Sequence, residues 1–511
     1  MILASDPILS CEEARQLESN LFAGEEGKEW GAMQQAGQAV GSAVLRDSQE
    51  MGGLPATCRI LVVVGKGHNG GDALIAVASL LEARPGAEAE ILFAFGERML
   101  RPLTARAWRH LLHCFGARLT LIDRTQLAPA YDVCLDGVFG FQFRPPVDAN
   151  VQSLIERVNA LAIRFRAAVD MPSAGVFQAD FTYATGSVKA PVLETEASGR
   201  IRYLDLGFFA RGAPGLQRVL TPEVLSSLTA LRSAHTDKRS FGHLFVLGGS
   251  RSYPGAILMA VLAALRSGVG LLTAFVPESL VPAFAAGVPE VIWVGLPEAP
   301  DGGVAWEGLH LIRRRMDRAT AWLIGPGMTD ESETVTLARE VVQRAGVPIV
   351  LDADGLQGGV IEAAQSPLVL TPHAGEFRRI AGSVTLEDFA LRTGAVVVLK
   401  GPMTRIAGRS GALGSETGET TLPVFHSLFG GPVLARGGSG DLLAGLIGGI
   451  LARPGGDPLQ AAAQGTVWHG LAADRLAQRF GQVAIRTTLL LELLPEVLRE
   501  IAERRGANPA G

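Results

Sequence analysis

LARGGSGDLLAGLIGGILA, Leu434 to Ala452, decides how the rest of the chain is read. Four small residues, Gly437 to Gly440, lead to a single carboxylate, Asp441, and a helical pattern follows. Leu442, Leu443, Leu446, Ile447, Ile450 and Leu451 recur near the 3.6-residue period, which predicts a helix with one apolar face. Glycines let the loop backbone come close to a ligand, and the amides at a helix start form a positive end suited to phosphate oxygens. A carboxylate adds little to the binding of another anion, so the task expected of Asp441 is to take or deliver a proton. A plain helix cap after a flexible loop is the structural alternative, and the remainder of the chain has to decide between the two.

Upstream, strand-like runs end one after another in polar or glycine signals. His243 to Leu247 runs into GGSRSYPGA and a helix from Ile257 to Arg266; Ala321 to Ile324 runs into GPGM; Val347 to Leu351 runs into DADGL. Leu368 to Leu370 then leads into TPHAGEF, and Val396 to Leu399 into KGPMT. A parallel sheet built from these strands sets Gly325, Gly327, Asp352, Asp354, His373, Glu376 and Lys400 along one rim, beside Gly255 and Ala256 at a helix start. That is a nucleotide-sized cleft, closed by the GGSGD helix. Lys400, between an apolar strand and Gly-Pro, suits phosphate as a point charge. Asp352 and Asp354 read equally well as a strand end and a cap, and His373 as a structural histidine.

The first half repeats the style without repeating the sequence. Residues 11 to 46 carry helical spacing, with a small-residue helix over Met33 to Leu45. The apolar run Arg59 to Val64 precedes GKGHNGGD (Gly65 to Asp72) and a further helix. Strand, glycine loop and helix make a phosphate-binding turn, although the spacing is neither GxGxxG nor a Walker loop. Short strands follow at Ile91 to Phe95, Leu119 to Ile122, Val133 to Leu135 and Ala167 to Val169, alternating with helices, so a mostly parallel sheet covered on both faces is expected. Two of them run into acids, Asp136 and Asp170. Ligands of such sheets collect at strand carboxyl ends, so Asn69, Asp136 and Ser173 are candidate oxygen donors to a cation and Asp170 a candidate base. Each is also an ordinary turn former.

Composition bounds the rest. A chain of 511 residues with 48% apolar and 6% aromatic content is a globular protein of two or three domains. A net charge of −5 offers no basic footprint for nucleic acid. Cys11, Cys58, Cys114 and Cys134 are scattered without a CxxC pair, which fits a reducing cytoplasm. The N-terminal residues lack a secretory pattern and no apolar run reaches membrane length, so a soluble cytoplasmic protein is expected. Patterning weakens from Gly207 to Thr236, and the domain boundary is placed near 225, giving domains of 1–225 and 226–511.

NGGD after a strand, Asp136-Gly-Val-Phe-Gly140, VDMPSAG (Val169 to Gly175) and Lys189 together resemble the NAD(P)H-hydrate epimerase domain. That resemblance implies a Rossmann-like α/β fold that interconverts the two epimers of 6-hydroxylated NAD(P)H. It implies K⁺ held by Asn69, Asp136 and Ser173, hydrate bound by His68, Asn69, Gly70, Gly71, Asp72 and Gly140, and Asp170 as the substrate-binding, acid–base aspartate. Departures are His68 for the family's first Asn, Ala73 for its next Gly, MQQAG for MENAG, and GFQFRPP (Gly140 to Pro146) for a glycine-bearing GTGL loop. The series KRSFGHLFVLGGS, YPGA, GPGM, DADGL, TPHAGEF, LKGPMT and GGSGD, over roughly 235 to 455, resembles the ADP- or ATP-dependent NAD(P)H-hydrate dehydratase, which is ribokinase-like. The two halves in that order resemble the bifunctional NAD(P)H-hydrate repair enzymes.

By that resemblance Lys400, Gly401, Pro402, Met403, Thr404 and Gly440 contact the nucleotide, while Ala256, Gly327, His373 and Asp441 face the hydrate. Mg²⁺ is expected with the ADP or ATP, Asp441 is expected as general base, and a homo-oligomer is expected, with the small-residue helix as a contact. Two rivals stand beside this reading. One is a ribokinase-type kinase of small molecules that keeps its phosphorylated product; the other makes the first half a non-catalytic binding module, suggested by the GFQFRPP loop.

Overall fold

The computed structural model describes residues 3–210, 212–409 and 421–507. They form two compact units, one of Asp6–Pro214 with Ala477–Gln482, the other of Gly215–Leu476 and Val483–Gly511 with Met1–Ser5. The break lies ahead of the join expected near residue 225. Strand Gln217–Leu220 pairs with Val424–Ser427 and so belongs to the second unit.

In the first unit a seven-stranded sheet runs in the order Leu119–Leu121, Glu88–Phe93, Arg59–Val64, Ala130–Gly137, Ala162–Val169, Phe181–Thr185, Arg200–Leu204, every neighbour parallel. Its central strands are buried on both faces. Ile60, Val62 and Val64 join one core cluster with Val133, Leu135 and Phe165, and Leu61, Val63 and Cys134 join the opposite one. That is the period-2 alternation of a strand wedged between two helical layers. The order reverses between Arg59–Val64 and Ala130–Gly137, opening a crevice at their carboxyl ends. Strands Ser5–Leu9, Phe181–Thr185 and Arg200–Leu204 were not expected from the sequence.

The small-residue helix, Glu26–Asp47, has its tight face in use inside its own unit. A Cβ on Gly37 would lie 2.7 Å from the Asp72 carbonyl oxygen, and one on Gly41 2.8 Å from that of Ala76. The helix packs on His68–Ala83, so this face cannot be the intersubunit contact expected of it.

In the second unit seven parallel strands follow the order Ile292–Leu296, Leu271–Pro277, His243–Leu247, Ala321–Ile324, Ile349–Leu351, Leu368–Leu370, Val396–Leu399. The strands expected to be parallel are so; beyond them Thr404–Ala407, not expected from the sequence, turns back antiparallel on Val396–Leu399, and Val424–Ser427 pairs antiparallel with it. Only Lys400 to Met403 separate the first two strands, too few residues for the crossover that a parallel pair demands. The unit keeps the α/β class expected of it, with a hairpin at this edge.

Helix Ser439–Leu451 is buried all round from Leu442 to Leu451, not on one face only. A Cβ on Gly445 would fall 2.0 Å from the Ala260 carbonyl oxygen, so helix Pro254–Arg266 is packed backbone to backbone against it. No helix among the described residues is long and apolar enough to cross a membrane, and all four cysteines are free.

Candidate active sites

The crevice of the first unit holds a cavity of about 420 Å³. Its lining includes His68, Asn69, Asp72, Gly140 and Asp170 among the expected residues, together with Glu18, Lys66 and Arg101. Gly70 and Gly71 do not reach it. The expected binding loop is the first turn of helix His68–Ala83, where both glycines are buried packing positions; a Cβ on Gly71 would meet the Met33 sulfur at 2.5 Å.

Asp170 follows strand Ala162–Val169 and sits at φ +64°, a left-handed conformation that a non-glycine residue adopts only when its surroundings hold it there. Its amide donates to the Tyr183 carbonyl at 2.9 Å, and one carboxylate oxygen accepts from the Lys189 ammonium at 2.5 Å. The other accepts from the Phe141 amide at 3.3 Å, and Lys189 lies 4.9 Å from the centre of the Phe141 ring. The bulky GFQFRPP loop therefore leaves the crevice open: Phe141 folds inward as part of the support for Asp170. Gly140 lies beside both Asn69 and Asp170, since a Cβ there would be 3.2 Å from Asn69 Oδ1 and 3.4 Å from Asp170 Oδ2. Burial holds Asp72 protonated well above the usual carboxylate range, with the charges of Asp170 and Glu18 adding to the effect and Lys189 opposing it.

Asn69, Asp136 and Ser173 belong to one hydrogen-bonded chain that runs through the Phe139 backbone. Ser173 donates from its hydroxyl and amide to the two Asp136 oxygens at 2.6 and 2.7 Å, and Phe139 N–H donates to the Ser173 hydroxyl. Asn69 Nδ2 donates to the carbonyls of Phe139 and Val169, both at 2.9 Å. Burial raises Asp136 to about 6 against the pull of those Ser173 bonds. The donors are all oxygen, with one carboxylate among them, and an amide nitrogen stands where two carbonyls converge. Such a set fits a weakly charged cation of the K⁺ kind and lacks the nitrogen or sulfur that zinc takes.

In the second unit Gly438 takes φ +85° and caps helix Ser439–Leu451, with Asp441 in the first turn. A Cβ on Gly440 would lie 3.1 Å from the Lys400 ammonium, so the lysine reaches the helix start from the opposite strand end. Lys400 Nζ also donates to Asp352 Oδ1 at 2.9 Å, and Thr371 donates to the same oxygen at 2.7 Å. Burial lifts the Asp441 carboxyl to about 6; Asp352 adds to the rise and Lys400 opposes it. The Lys400 ammonium is raised despite its burial, held by Asp352 and Glu376 and, more weakly, Asp441.

The other expected residues are placed unequally. Gly327 and Ala256 adjoin, a Cβ on Gly327 coming 3.0 Å from that of Ala256. His373 is exposed, and its Nδ1 accepts from the amides of Gly375 and Glu376 at 2.9 and 3.2 Å as the cap of helix Ala374–Ala381. Glu376 completes that cap through a bond from His373 N–H. Gly401 to Met403 form the hairpin turn, and Thr404 opens the antiparallel strand. Asp354 accepts from Thr329 N–H at 2.9 Å.

Sequence reading missed His469. It is buried behind the glycine loop, 3.4 Å from the Ser439 hydroxyl, and burial pushes its ring down to about 4, leaving it neutral. A histidine in the middle of helix Pro458–Phe480 carries no local signal of such a contact.

Two family models match the chain, YjeF-related protein N-terminus over residues 31–193 and NAD(P)H-hydrate dehydratase over residues 244–496. The bifunctional NAD(P)H-hydrate repair enzyme of Moorella thermoacetica is 33% identical over 509 residues, covering 92% of each chain. The ADP-dependent (S)-NAD(P)H-hydrate dehydratase of Xanthomonas campestris pv. campestris is 36% identical over 271 residues, 51% of this chain and 88% of that one. Among solved structures, the ADP/ATP-dependent NAD(P)H-hydrate dehydratase from Bacillus subtilis co-crystallized with ATP/Mg²⁺ is 27% identical with a TM-score of 0.46, covering 57% of this chain and 99% of that one.

Proposed function

The chain belongs to the family of bifunctional NAD(P)H-hydrate repair enzymes, and from that premise we propose which of its residues carry the two reactions. The protein repairs hydrated NADH and NADPH, interconverting the R and S hydrates and dehydrating the S hydrate with a nucleotide. We assign the epimerase to the unit of residues 6–214 and the dehydratase to the unit that begins at Gly215.

Dehydration must expel a C6 hydroxyl, and hydroxide is a poor leaving group. Transfer of a phosphoryl group from ADP or ATP to that oxygen, followed by loss of phosphate, regenerates the reduced cofactor. Asp441 takes the hydroxyl proton as the phosphoryl group arrives. The amides at the start of helix Ser439–Leu451 and the Lys400 ammonium stabilise the charge on the transferring group. Lys400 to Thr404 and Gly440 line the nucleotide side, and Ala256, Gly327 and His373 the hydrate side. The observation that carries this reading is the meeting of Lys400 and the Asp441 helix turn at one sheet rim.

Among the described residues no three His, Cys, Asp or Glu side chains converge to hold a metal. Mg²⁺ would be brought on the nucleotide's phosphates and keep several waters, the usual mode for this ion. Its contribution is to neutralise phosphate charge.

In the first unit Asp170 works at C6 of the hydrate. Asn69, Asp136, Ser173 and the nearby carbonyls of Phe139 and Val169 would hold K⁺, whose charge would fix the loops that carry Gly140 and Asp170. The open cavity and the inward fold of Phe141 favour an active epimerase over a non-catalytic module. Residence in the cytoplasm and assembly as a homo-oligomer belong to the same reading; fractionation and light scattering test them.

The decisive experiment supplies mixed R and S hydrate with K⁺, Mg²⁺ and ADP or ATP, and follows the return of reduced-cofactor absorbance. Complete recovery is expected. Recovery that stops at the S fraction removes the epimerase, and a stable phosphorylated product without recovery replaces the dehydratase by a kinase.

A further inference from the structure

Epimerisation at a carbon that carries both a hydroxyl and a ring nitrogen needs one group to give a proton and another to take one. Asp170, paired with the Lys189 ammonium, suits the acceptor. The other acids around the cavity differ in how far they are occupied. Asp170 is paired with Lys189 and bonded by Phe141 N–H. Glu29 faces His68 at 3.9 Å, and Asp148 caps helix Ala149–Asn159 through the amides of Asn150 and Val151. Glu18 stands apart. It projects from helix Cys11–Phe22, an element separate from the strand end that carries Asp170, and lines the same cavity half-buried. Its carboxyl makes no hydrogen bond or ion pair with any described residue.

We propose that Glu18 is the catalytic acid of the epimerase, acting with Asp170 as base on the hydrate held between them. This rests on the epimerase reading of the first unit. Glu18 gives its proton to the C6 hydroxyl; the C6–O bond breaks, its electron pair leaving with water. The ring nitrogen N1 lends its lone pair to form a C6=N1 double bond. A second water then adds to C6 from the other side, the π pair returns to N1, and the proton released by the incoming water passes to Asp170. One water leaves and one enters, and the proton given by Glu18 equals the proton gained by Asp170, so exchange with solvent resets the pair.

The surroundings of Glu18 suit a donor. Burial raises its carboxyl to about 7, Asp170 and Glu29 adding to the rise and Lys189 opposing it. A group poised near the working pH is the most effective donor, and two carboxylates in contrasting environments divide the acid and base tasks. Asp72 is the competitor. It too faces Asp170, Glu18 and Lys189, but it is buried in the first turn of helix His68–Ala83.

The test uses the full chain in K⁺ without nucleotide, following conversion of R hydrate to S by chiral chromatography across pH. The wild type is expected to lose kcat/KM as the pH rises through about 7, and the new hydroxyl is expected to carry ¹⁸O from labelled water. Glu18→Gln is expected to lose a factor of about 10² to 10⁴ together with that alkaline limb, at an unchanged melting temperature, while Glu18→Asp restores part of the rate. An active wild type with an unimpaired Glu18→Gln, or a limb abolished by Asp72→Asn alone, overturns the inference. A wild type that interconverts nothing in K⁺ overturns the epimerase reading and this inference with it.

Discussion

Lys189 Nζ and Asp170 Oδ1 form an ion pair 2.5 Å long at the floor of the first unit's cavity, with both side chains almost fully buried. The lysine also donates to the Thr185 carbonyl at 3.0 Å and lies against the Phe141 ring, so the cation is fixed from three sides. Two charges taken out of water in this way depend on each other: a buried pair adds little by itself, but losing one partner strands the other.

Lys189→Met should therefore destabilise the protein by about 3–5 kcal/mol and abolish R-to-S conversion. Denaturant unfolding of the first unit and epimerase assays read the two effects. An active, equally stable variant would show that Asp170 needs no partner.

Asp441→Asn should leave nucleotide affinity nearly unchanged and lower the dehydration rate by about 10² to 10⁴. Calorimetric titration with ADP or ATP, set beside the rate of cofactor recovery, separates binding from chemistry. A normal rate removes Asp441 from its role.

The base must be ionised to act, and its carboxyl titrates at about 6. Dehydratase kcat/KM should therefore climb as pH rises through about 6 and level off above it. Asp352→Asn removes a neighbouring negative charge and should move this limb to lower pH; Lys400→Met removes a positive one and should move it higher. Limbs that stay in place would show that these charges do not reach Asp441.

Replacing K⁺ by tetramethylammonium should stop epimerisation while leaving dehydration of S hydrate intact. Ser173→Ala, which breaks both the bond to Asp136 and the one from Phe139 N–H, should raise the K⁺ concentration needed for half-maximal rate. Rates independent of the cation would remove K⁺ from the site.

Gly445→Ala puts a methyl group 2.0 Å from the Ala260 carbonyl, which only a shift between the two helices can relieve. Overpacking of this kind costs about 1–3 kcal/mol, and because the same helix presents Asp441, dehydration should fall as well. Thermal unfolding and the dehydratase assay check both.

The order of strands and loops was legible because it is local. An apolar run that ends in glycine or a carboxylate predicts a strand whose carboxyl end faces a ligand, and Arg59–Val64, His243–Leu247, Ala321–Ile324, Leu368–Leu370 and Val396–Leu399 lie where the pattern puts them. The hairpin strand after Lys400 was not expected, because Thr404–Ala407 is too short and too polar at its start to carry a strand pattern of its own. Gly70 and Gly71 were given as ligand contacts by the resemblance of the NGGD loop alone, and here their close approaches are to Gly65 and Met33 of the protein itself.

What the sequence determined by itself was the two α/β halves, the family, and the acid after the GGSGD glycines, since each is written in adjacent residues. What only the tertiary structure decided was which charges meet. Lys400 finds Asp352 across 48 positions, Lys189 finds Asp170 across a strand crossover, and Glu18 comes to the Asp170 cavity from a helix near the N-terminus. Those partnerships, and the proton affinities they set, arise from distances and burial that exist only once the sheets have closed.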